Sequence, residues 1–350
     1  MEYKFHLANT REMRALADGY HYCPSCGRRD YKVYVDNGGN PIHETVGRCN
    51  REVNCAYHLP PKEWFKMHPD EQASAMERAR MAPKREPLKM IEIPKAVMVE
   101  HFDKSRRAMN PLWNYLWNLP IEHDRLMAQW ALYCTGTYPD GRTIWWQVDK
   151  DLRIRSGKVM QYFCNGSRKM NGIKGKCNWI HSMLGKAGQI NLNTHGYVQC
   201  LFGEHLLRLT DPNEVTDVNI VESEKSALIA SLFQRPTEIW LAVSGLTNLN
   251  SHNLSPIMQQ GRNIMVWPDH DGYEKWSTKT EDIRKEYDKI VCTDYVEKAW
   301  KEGMKPTADI ADIIIHRLLK TPEQKLAEMR AKNECIDTLV REFNLVPIKK

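Results

Sequence analysis

The sequence has no apolar run approaching the roughly 20 residues that a helix needs to cross a bilayer. An ordinary membrane-spanning helix is therefore not expected. Its first residues, MEYKFHLANTREMRAL, hold no apolar stretch of the secretory-signal type, so a cytoplasmic protein is expected. It also lacks the Gly-x-x-x-x-Gly-Lys-Ser/Thr phosphate loop, which sets aside a helicase motor of that kind within this sequence. Internal repeats and low-complexity tracts are missing, which argues against solenoids and disordered scaffolds. What is present is a chain of 350 residues, 42% hydrophobic and 27% charged. That is the composition expected of a soluble globular protein, long enough for two or three domains.

One sign of charge is missing over a long stretch. Residues 152–203 contain no Asp or Glu, but eight bases: Arg153, Arg155, Lys158, Arg168, Lys169, Lys174, Lys176 and Lys186. The chain as a whole carries 50 Lys plus Arg against 44 Asp plus Glu, a net charge of +6. A block of one sign suits a polyanion such as nucleic acid, and a solvated basic face is the plainer alternative.

Ten cysteines are present, and four of them fall within residues 23–55. Clustering in a chain expected to be intracellular favours a metal site over disulfides. Cys23 and Cys26 form a C-x2-C knuckle followed by Gly27. Cys49 and Cys55 follow the segment YKVYVDNGGNPIHETV, which reads as a hairpin with Asn-Gly-Gly at its tip. Four soft ligands suit tetrahedral zinc. Cys23, Cys26, Cys49 and Cys55 are the expected set. His58 is the alternative for one thiolate, and His43 and His21 are weaker candidates. Four protein ligands leave no open position, so this zinc is expected to be structural. Arg28, Arg29, Arg48 and Arg51 crowd the ligands, and Tyr22, Tyr31 and Tyr34 are candidates to stack on bases. The other six cysteines are expected as small buried hydrophobes.

The chain divides by pattern. Residues 1–66 form the zinc ribbon, and 67–95 read as a linker with one short helix. Residues 96–210 are the basic, aromatic-rich α+β middle. Residues 211–318 alternate short apolar runs with amphipathic ones, an α/β pattern of parallel strands covered by helices. Residues 319–350 begin with Thr321-Pro322-Glu323-Gln324, a good helix start. Leu326, Met329, Ile336, Leu339, Val340 and Phe343 supply an apolar stripe for a C-terminal helix.

Four strands are expected in the α/β part, at 218–221, 238–243, 263–267 and 289–294. Glu222 stands at the end of the first. The loop SGLTNLN (244–250) follows the second, and PDHDG (268–272) follows the third. Ligands of open parallel sheets bind at the carboxyl ends of the strands. Asp269 and Asp271 are two apart, so in extended chain they point the same way, with His270 pointing away. Glu222, Asp269 and Asp271 together suit a hard cation, Mg²⁺ or Mn²⁺. Taken alone, Glu222 reads first as a helix cap or surface residue, and Asp269–Gly272 reads equally as an ordinary turn.

These motifs resemble the TOPRIM domain shared by bacterial-type primases, topoisomerases and some nucleases. VESEKSALIA resembles its first motif, VSGLTNLN its loop segment and VWPDHDG its acidic motif. ADIADIIIH resembles a later acidic segment, making Asp309 and Asp312 secondary metal candidates. A cysteine ribbon, then a basic segment, then TOPRIM is similar to the layout of bacterial-type DNA primases, with a closer likeness to primase-like proteins of mobile elements. The resemblance implies single-stranded DNA binding and primer synthesis by Mg-dependent nucleotidyl transfer. It assigns catalysis to Glu222, Asp269 and Asp271. Nucleoside triphosphates are the implied substrates, and a replicative helicase on a separate chain is an implied partner. Arg153, Arg155, Lys158, Arg168, Lys169 and Lys225 would face template and triphosphate. Trp145, Trp146 and Trp179 would stack on bases or else lie in the core. A TOPRIM nuclease and a non-catalytic DNA-binding accessory protein are the alternative readings.

Overall fold

The structure, a computed structural model, describes residues 5–51, 54–82, 89–171, 174–175, 177–192 and 194–346. Lys176 of the basic block and residues 83–88 of the expected linker lie outside the described residues. The chain separates into two compact units, Met1–Pro87 and Leu88–Lys350.

The first unit is built on three antiparallel strands, β1 (Phe5–Leu7), β2 (Tyr31–Asp36) and β3 (Gly47–Cys49), in the order β1-β2-β3. Alternation in YKVYVD sends Tyr31, Val33 and Val35 to a core with Ala8, Met13, Cys23 and Cys49. Tyr31 is thus a core residue and not a free stacking platform. The expected hairpin is present. Asp36 accepts from the backbone N–H groups of Gly38 and Asn40 at 2.8 and 3.0 Å, and Gly39 supplies the left-handed turn residue at φ +84°. Helix α1 (Thr10–Ala15) joins β1 to the cysteine knuckle. Helices α2 (Pro61–Met67) and α3 (Pro69–Met81) follow the ribbon. Helix α3 runs 13 residues, with Pro69 in its first turn, Asp70 and Glu71 near its N-terminus and Arg78 and Arg80 near its C-terminus. Both ends suit the helix dipole.

The second unit starts with β4 (Lys89–Met90) and helices α4 (Lys95–Val99), α5 (Lys104–Ala108), α6 (Pro111–Trp117) and α7 (His123–Leu132). Strands β5 (Thr135–Thr137), β6 (Thr143–Val148) and β7 (Ile154–Met160) follow. After the short β8 (Met170–Asn171) and β9 (Lys174–Gly175), β10 (Cys177–Trp179) completes an antiparallel sheet of order β10-β7-β6-β5. Helix α8 (Ile180–Lys186), β11 (His195–Gly196) and α9 (Leu206–Leu209) lead onward, with β11 pairing β4. Strand β6 is buried along its whole length because both faces are covered. Trp145 joins Trp130, Tyr162 and Phe202 in one core, while Ile144, Trp146 and Val148 join Ile91, Ile93 and Met98 in another. Trp145 and Trp146 are therefore core residues, unavailable for stacking on bases.

The parallel sheet has β12 (Asp217–Val221), β13 (Glu238–Ala242), β14 (Asn263–Val266) and β15 (Ile290–Cys292) in the order β13-β12-β14-β15. All four expected strands are present. Helices α10 (Glu224–Ser231), α11 (Ser251–Met258), α12 (Tyr273–Arg284), α13 (Tyr295–Ala299) and α14 (Ile310–Leu318) connect and cover them. The chain is therefore α/β, with an N-terminal ribbon and a Rossmann-like parallel sheet. The largest core runs continuously from Leu112, Trp130 and Trp145 into the sheet residues Val218, Ile220, Leu241 and Val266.

The single expected C-terminal helix is two, α15 (Pro322–Lys332) and α16 (Glu334–Glu342). Asn333, at φ −151°, ends the first and caps the second by accepting from the Cys335 N–H at 3.0 Å. Thr321 and Gln324 form the anticipated capping box. The apolar stripe is not buried: Met329, Leu339 and Phe343 are exposed. The expectation that six cysteines are buried also fails, since Cys164 and Cys335 are exposed and Cys134, Cys177, Cys200 and Cys292 are half-buried. Among the described residues, no helix is long and apolar enough to cross a membrane.

Candidate functional site

Two sites emerge, one in each unit. In the first, the C-x2-C turn and the end of β3 bring four thiols together. The Sγ atoms of Cys23, Cys26, Cys49 and Cys55 all lie within 4.8 Å of one another. Cys23 and Cys55 are 3.6 Å apart, and Cys26 and Cys49 are 4.0 Å apart. A zinc ion with Zn–S bonds of about 2.3 Å needs thiolates about 3.8 Å apart at a tetrahedral angle, so the residues present fit the ion. The Tyr57 backbone N–H lowers the Cys55 thiol to about 7, so this thiolate forms most readily, whereas burial raises Cys49 to about 12. His21, His43 and His58 are not members of the cluster. His58 instead meets the Tyr34 hydroxyl at 3.0 Å and stacks on that ring, and His43 stacks on Trp64.

In the second unit, the carboxyl edge of the parallel sheet gathers acids. Glu222 follows β12 directly. Ser223 caps α10 by accepting from the Ser226 N–H at 3.2 Å, so the cap role open to Glu222 falls to its neighbour. Asp269 follows β14 after Trp267 and Pro268. The expected extended segment is instead a short 3-10 turn over His270–Gly272, so Asp271 comes round on a turn and is exposed. His270 does point elsewhere: it pairs with Glu297 at 2.9 Å and stacks on Trp300 at 4.7 Å.

The charges of these acids are felt across the cluster. Burial raises the Glu222 carboxyl above its usual range, helped by Asp271, Asp309 and Glu224 and opposed by Lys158. Burial, followed by the charges of Asp309, Glu222, Asp271 and Asp312, pushes Asp269 to about 9. A cation relieves this crowding, and an all-oxygen donor set fits a hard divalent ion. Among the described residues, the cysteines alone bring three or more metal-type donors all within 4.8 Å of one another. The carboxylates are thus spread more widely than a closed cage. Asp309 and Asp312 make the capping box of α14, and Asp309 also accepts from the Ser226 hydroxyl at 2.5 Å.

A cleft of about 490 Å³ opens beside these acids. Lys158, Arg168 and Lys225 line it, and Glu222, Asp309 and Asp312 form its acidic side. Lys305, Thr307, Trp179, Ser244 and Gly245 also line it. Ser244, two residues beyond β13, is in a left-handed conformation at φ +63°, uncommon for a residue with a side chain, which turns the chain sharply at the sheet edge.

Other expected bases fall elsewhere. Arg155 is buried, its guanidinium on Asp149 at 2.7 Å and on the Ile91 carbonyl at 3.0 Å. It holds the fold and is not free to meet nucleic acid. Arg153 pairs with Asp149 and Asp151 and does not line the cleft. Lys169 lies over the Phe163 ring, also outside the cleft lining. The basic block is one-signed only along the chain, because acids from outside residues 152–203 meet its members in space.

The signals missed in the sequence were of two kinds. Lys305 stands in Lys-Pro-Thr-Ala-Asp, just ahead of a helix whose N-terminus faces the same edge; reading that segment with the strand ends would have found it. Glu224 had no such signal, since only its partner from a distant strand gives it meaning.

The ribbon region, residues 3–70, matches a zinc β-ribbon finger family. Residues 110–270 match a domain family of unknown function, DUF6371. That match takes in Glu222 and Asp269 and stops short of Asp271. No curated protein matches the chain. Among solved structures, the primase fragment of the bacteriophage T7 primase-helicase protein is similar at 14% identity, covering 85% of this chain and 94% of its own, with a TM-score of 0.37. The DnaG catalytic core is similar at 12% identity, covering 67% and 77%, with a TM-score of 0.38. The zinc-binding and RNA polymerase domains of the Aquifex aeolicus primase are similar at 11% identity, covering 97% and 84%, with a TM-score of 0.34.

Proposed function

We propose that this protein is a DNA-primase-like nucleotidyltransferase that binds single-stranded DNA and builds short primers from nucleoside triphosphates. One observation carries the reading. Glu222, Asp269 and Asp271 stand at the ends of two adjacent parallel strands, where burial and then the charges of Asp309, Glu222 and Asp271 push Asp269 to about 9, beside a cleft bearing four bases. The likeness of VESEKSALIA and VWPDHDG to TOPRIM motifs supports it.

In this reading Glu222, Asp269 and Asp271 hold Mg²⁺ or Mn²⁺, with Asp309 and Asp312 as outer partners. Bound there, the cation supplies charge neutralisation for the triphosphate under attack. The chain's own residues do the rest. Arg168, Lys225 and Lys305 meet phosphate oxygens of template and nucleotide. The turn at Ser244 and Gly245 also lines the cleft. Residues 1–66 act as a zinc-held module for template, residues 96–210 and 211–318 together make the nucleotide site, and residues 319–350 are an appended helical segment. A helicase, as a separate chain, is the natural partner, and a mobile element the natural setting.

The test is incubation with single-stranded DNA, Mg²⁺ and labelled ribo- or deoxyribonucleotides. New short chains are expected, and Asp269→Asn should abolish them. Shortening of the template instead would make the protein a nuclease. Binding without either outcome would make it an accessory protein.

A further inference from the structure

Lys158 is the one residue of β7 that is not fully buried, and its side chain is still only 12% exposed. An ammonium group so enclosed needs a partner. Its partner is Glu224, 66 residues later in sequence and 2% exposed. The ammonium nitrogen lies 3.0 Å from both carboxylate oxygens. A single carboxylate occupies at most two of the three ammonium hydrogens, so at least one is left. Both residues line the cleft. Glu222 and Glu224, although two apart, are thus placed differently: one follows the strand among the other acids, and the other is occupied by a lysine.

Stability alone is a poor reason for this pair. A buried ion pair loses hydration on both sides, and an apolar pair of equal volume holds two layers together as well or better. A cation fixed at the wall of an open, base-lined cleft has a clear use. A free lysine would lose side-chain entropy on meeting a phosphate. One already held by a carboxylate has lost it in folding. The cleft also carries Arg168, Lys225 and Lys305, of which Arg168 and Lys305 are exposed, Lys305 with Asp312 at 3.5 Å.

We propose that Glu224 is a positioning residue: it holds the Lys158 ammonium at the cleft wall so that its remaining N–H meets a phosphate oxygen of the incoming nucleoside triphosphate. The proposal rests on the reading of the cleft as a nucleotide site. It assigns Glu224 to the lysine and not to the cation.

The experiment measures binding of inorganic tripolyphosphate to the full chain in Mg²⁺ by calorimetry, with a thermal melt of each variant. Glu224→Gln keeps the volume and one acceptor oxygen, so the fold is expected to persist. Its affinity should fall roughly 10- to 100-fold, the range of a charged hydrogen bond. Lys158→Met should fall as far, and the double variant no further than Lys158→Met, because Glu224 acts through Lys158. A charge swap, Lys158→Glu with Glu224→Lys, should recover melting temperature without recovering affinity. Wild-type affinity in a folded Glu224→Gln chain, additive losses in the double variant, or full rescue by the swap would each overturn the proposal. So would a wild-type chain that does not bind tripolyphosphate. Primer synthesis is scored separately on the wild type. Synthesis with a Glu224-independent nucleotide KM defeats this inference alone, and Glu224-dependent binding without synthesis defeats the nucleotidyltransferase reading alone.

Discussion

Ser226 donates its hydroxyl hydrogen to Asp309 at 2.5 Å, joining the first turn of α10 to the cap of α14 across 83 residues of sequence. Asp309 in turn accepts the Asp312 N–H at 3.0 Å. The two helices that frame the acidic edge are thus set relative to one another by one hydroxyl and one carboxylate. Ser226→Ala should destabilise the second unit by roughly 1.5–3 kcal/mol, the range of a hydrogen bond to a charged acceptor. Chemical denaturation checks it. A change within error would mean that α14 is held by its apolar contacts alone.

The pH dependence of stability follows from Asp269. Its carboxyl is pushed from an ordinary 3.8 to about 9. Between those values the folded chain holds this proton and the unfolded chain does not, so stability falls as pH rises through the window. Melting temperatures in EDTA should therefore decline from about pH 5 toward about pH 9. Asp269→Asn, neutral throughout, should decline less steeply. Added Mg²⁺ should raise the wild-type melting temperature most at the alkaline end, where the carboxylates are already ionised. Parallel wild-type and Asp269→Asn slopes would sink this expectation.

The bases that surround the antiparallel sheet should separate by role. Burial tends to raise Asp149, but the Arg153 N–H and the Arg155 guanidinium hold it below its usual range. Arg155→Ala leaves that carboxylate buried and half-paired, at a cost of roughly 3–5 kcal/mol. Arg168→Ala removes an exposed cleft base. It should leave melting unchanged while weakening single-stranded DNA binding and reducing the salt slope by roughly 0.7. Fluorescence anisotropy at several salt concentrations measures this. Equal stability losses in both variants would contradict the assignment.

Freshly purified protein should carry one zinc per chain by atomic absorption. Cys49→Ser should remove it and raise amide exchange through β2 and β3, because a ribbon of this size relies on its metal for folding. Full zinc content in the Cys49→Ser chain would exclude Cys49 as a ligand.

Much of the fold was readable because it obeys short-range rules. The alternation in YKVYVD, the four apolar runs of the parallel sheet and the Thr321–Gln324 capping box depend on residues within one or two turns of each other. The break at Asn333 was missed because a polar residue can end one helix and cap the next without disturbing the apolar period. The turn at His270–Gly272 stood beside an extended segment as an open alternative, because a two-residue spacing says nothing about dihedral angles. Trp145 and Trp146 were ambiguous in sequence, since an aromatic side chain serves equally in a core and on a base.

The sequence by itself determined the four-cysteine cluster, the four segments that become the parallel strands and the placement of Glu222 and Asp269 at their ends. Chain direction and strand polarity dictate these once the apolar runs are identified. Only the tertiary structure decided which charges are available. Arg155 is used up by Asp149, Lys158 is held in place by Glu224, and Lys305 enters the cleft from a loop outside the basic block, paired with Asp312 at 3.5 Å. A charge acts through whatever lies within a few ångströms of it, and for Lys158 that neighbour is 66 residues away.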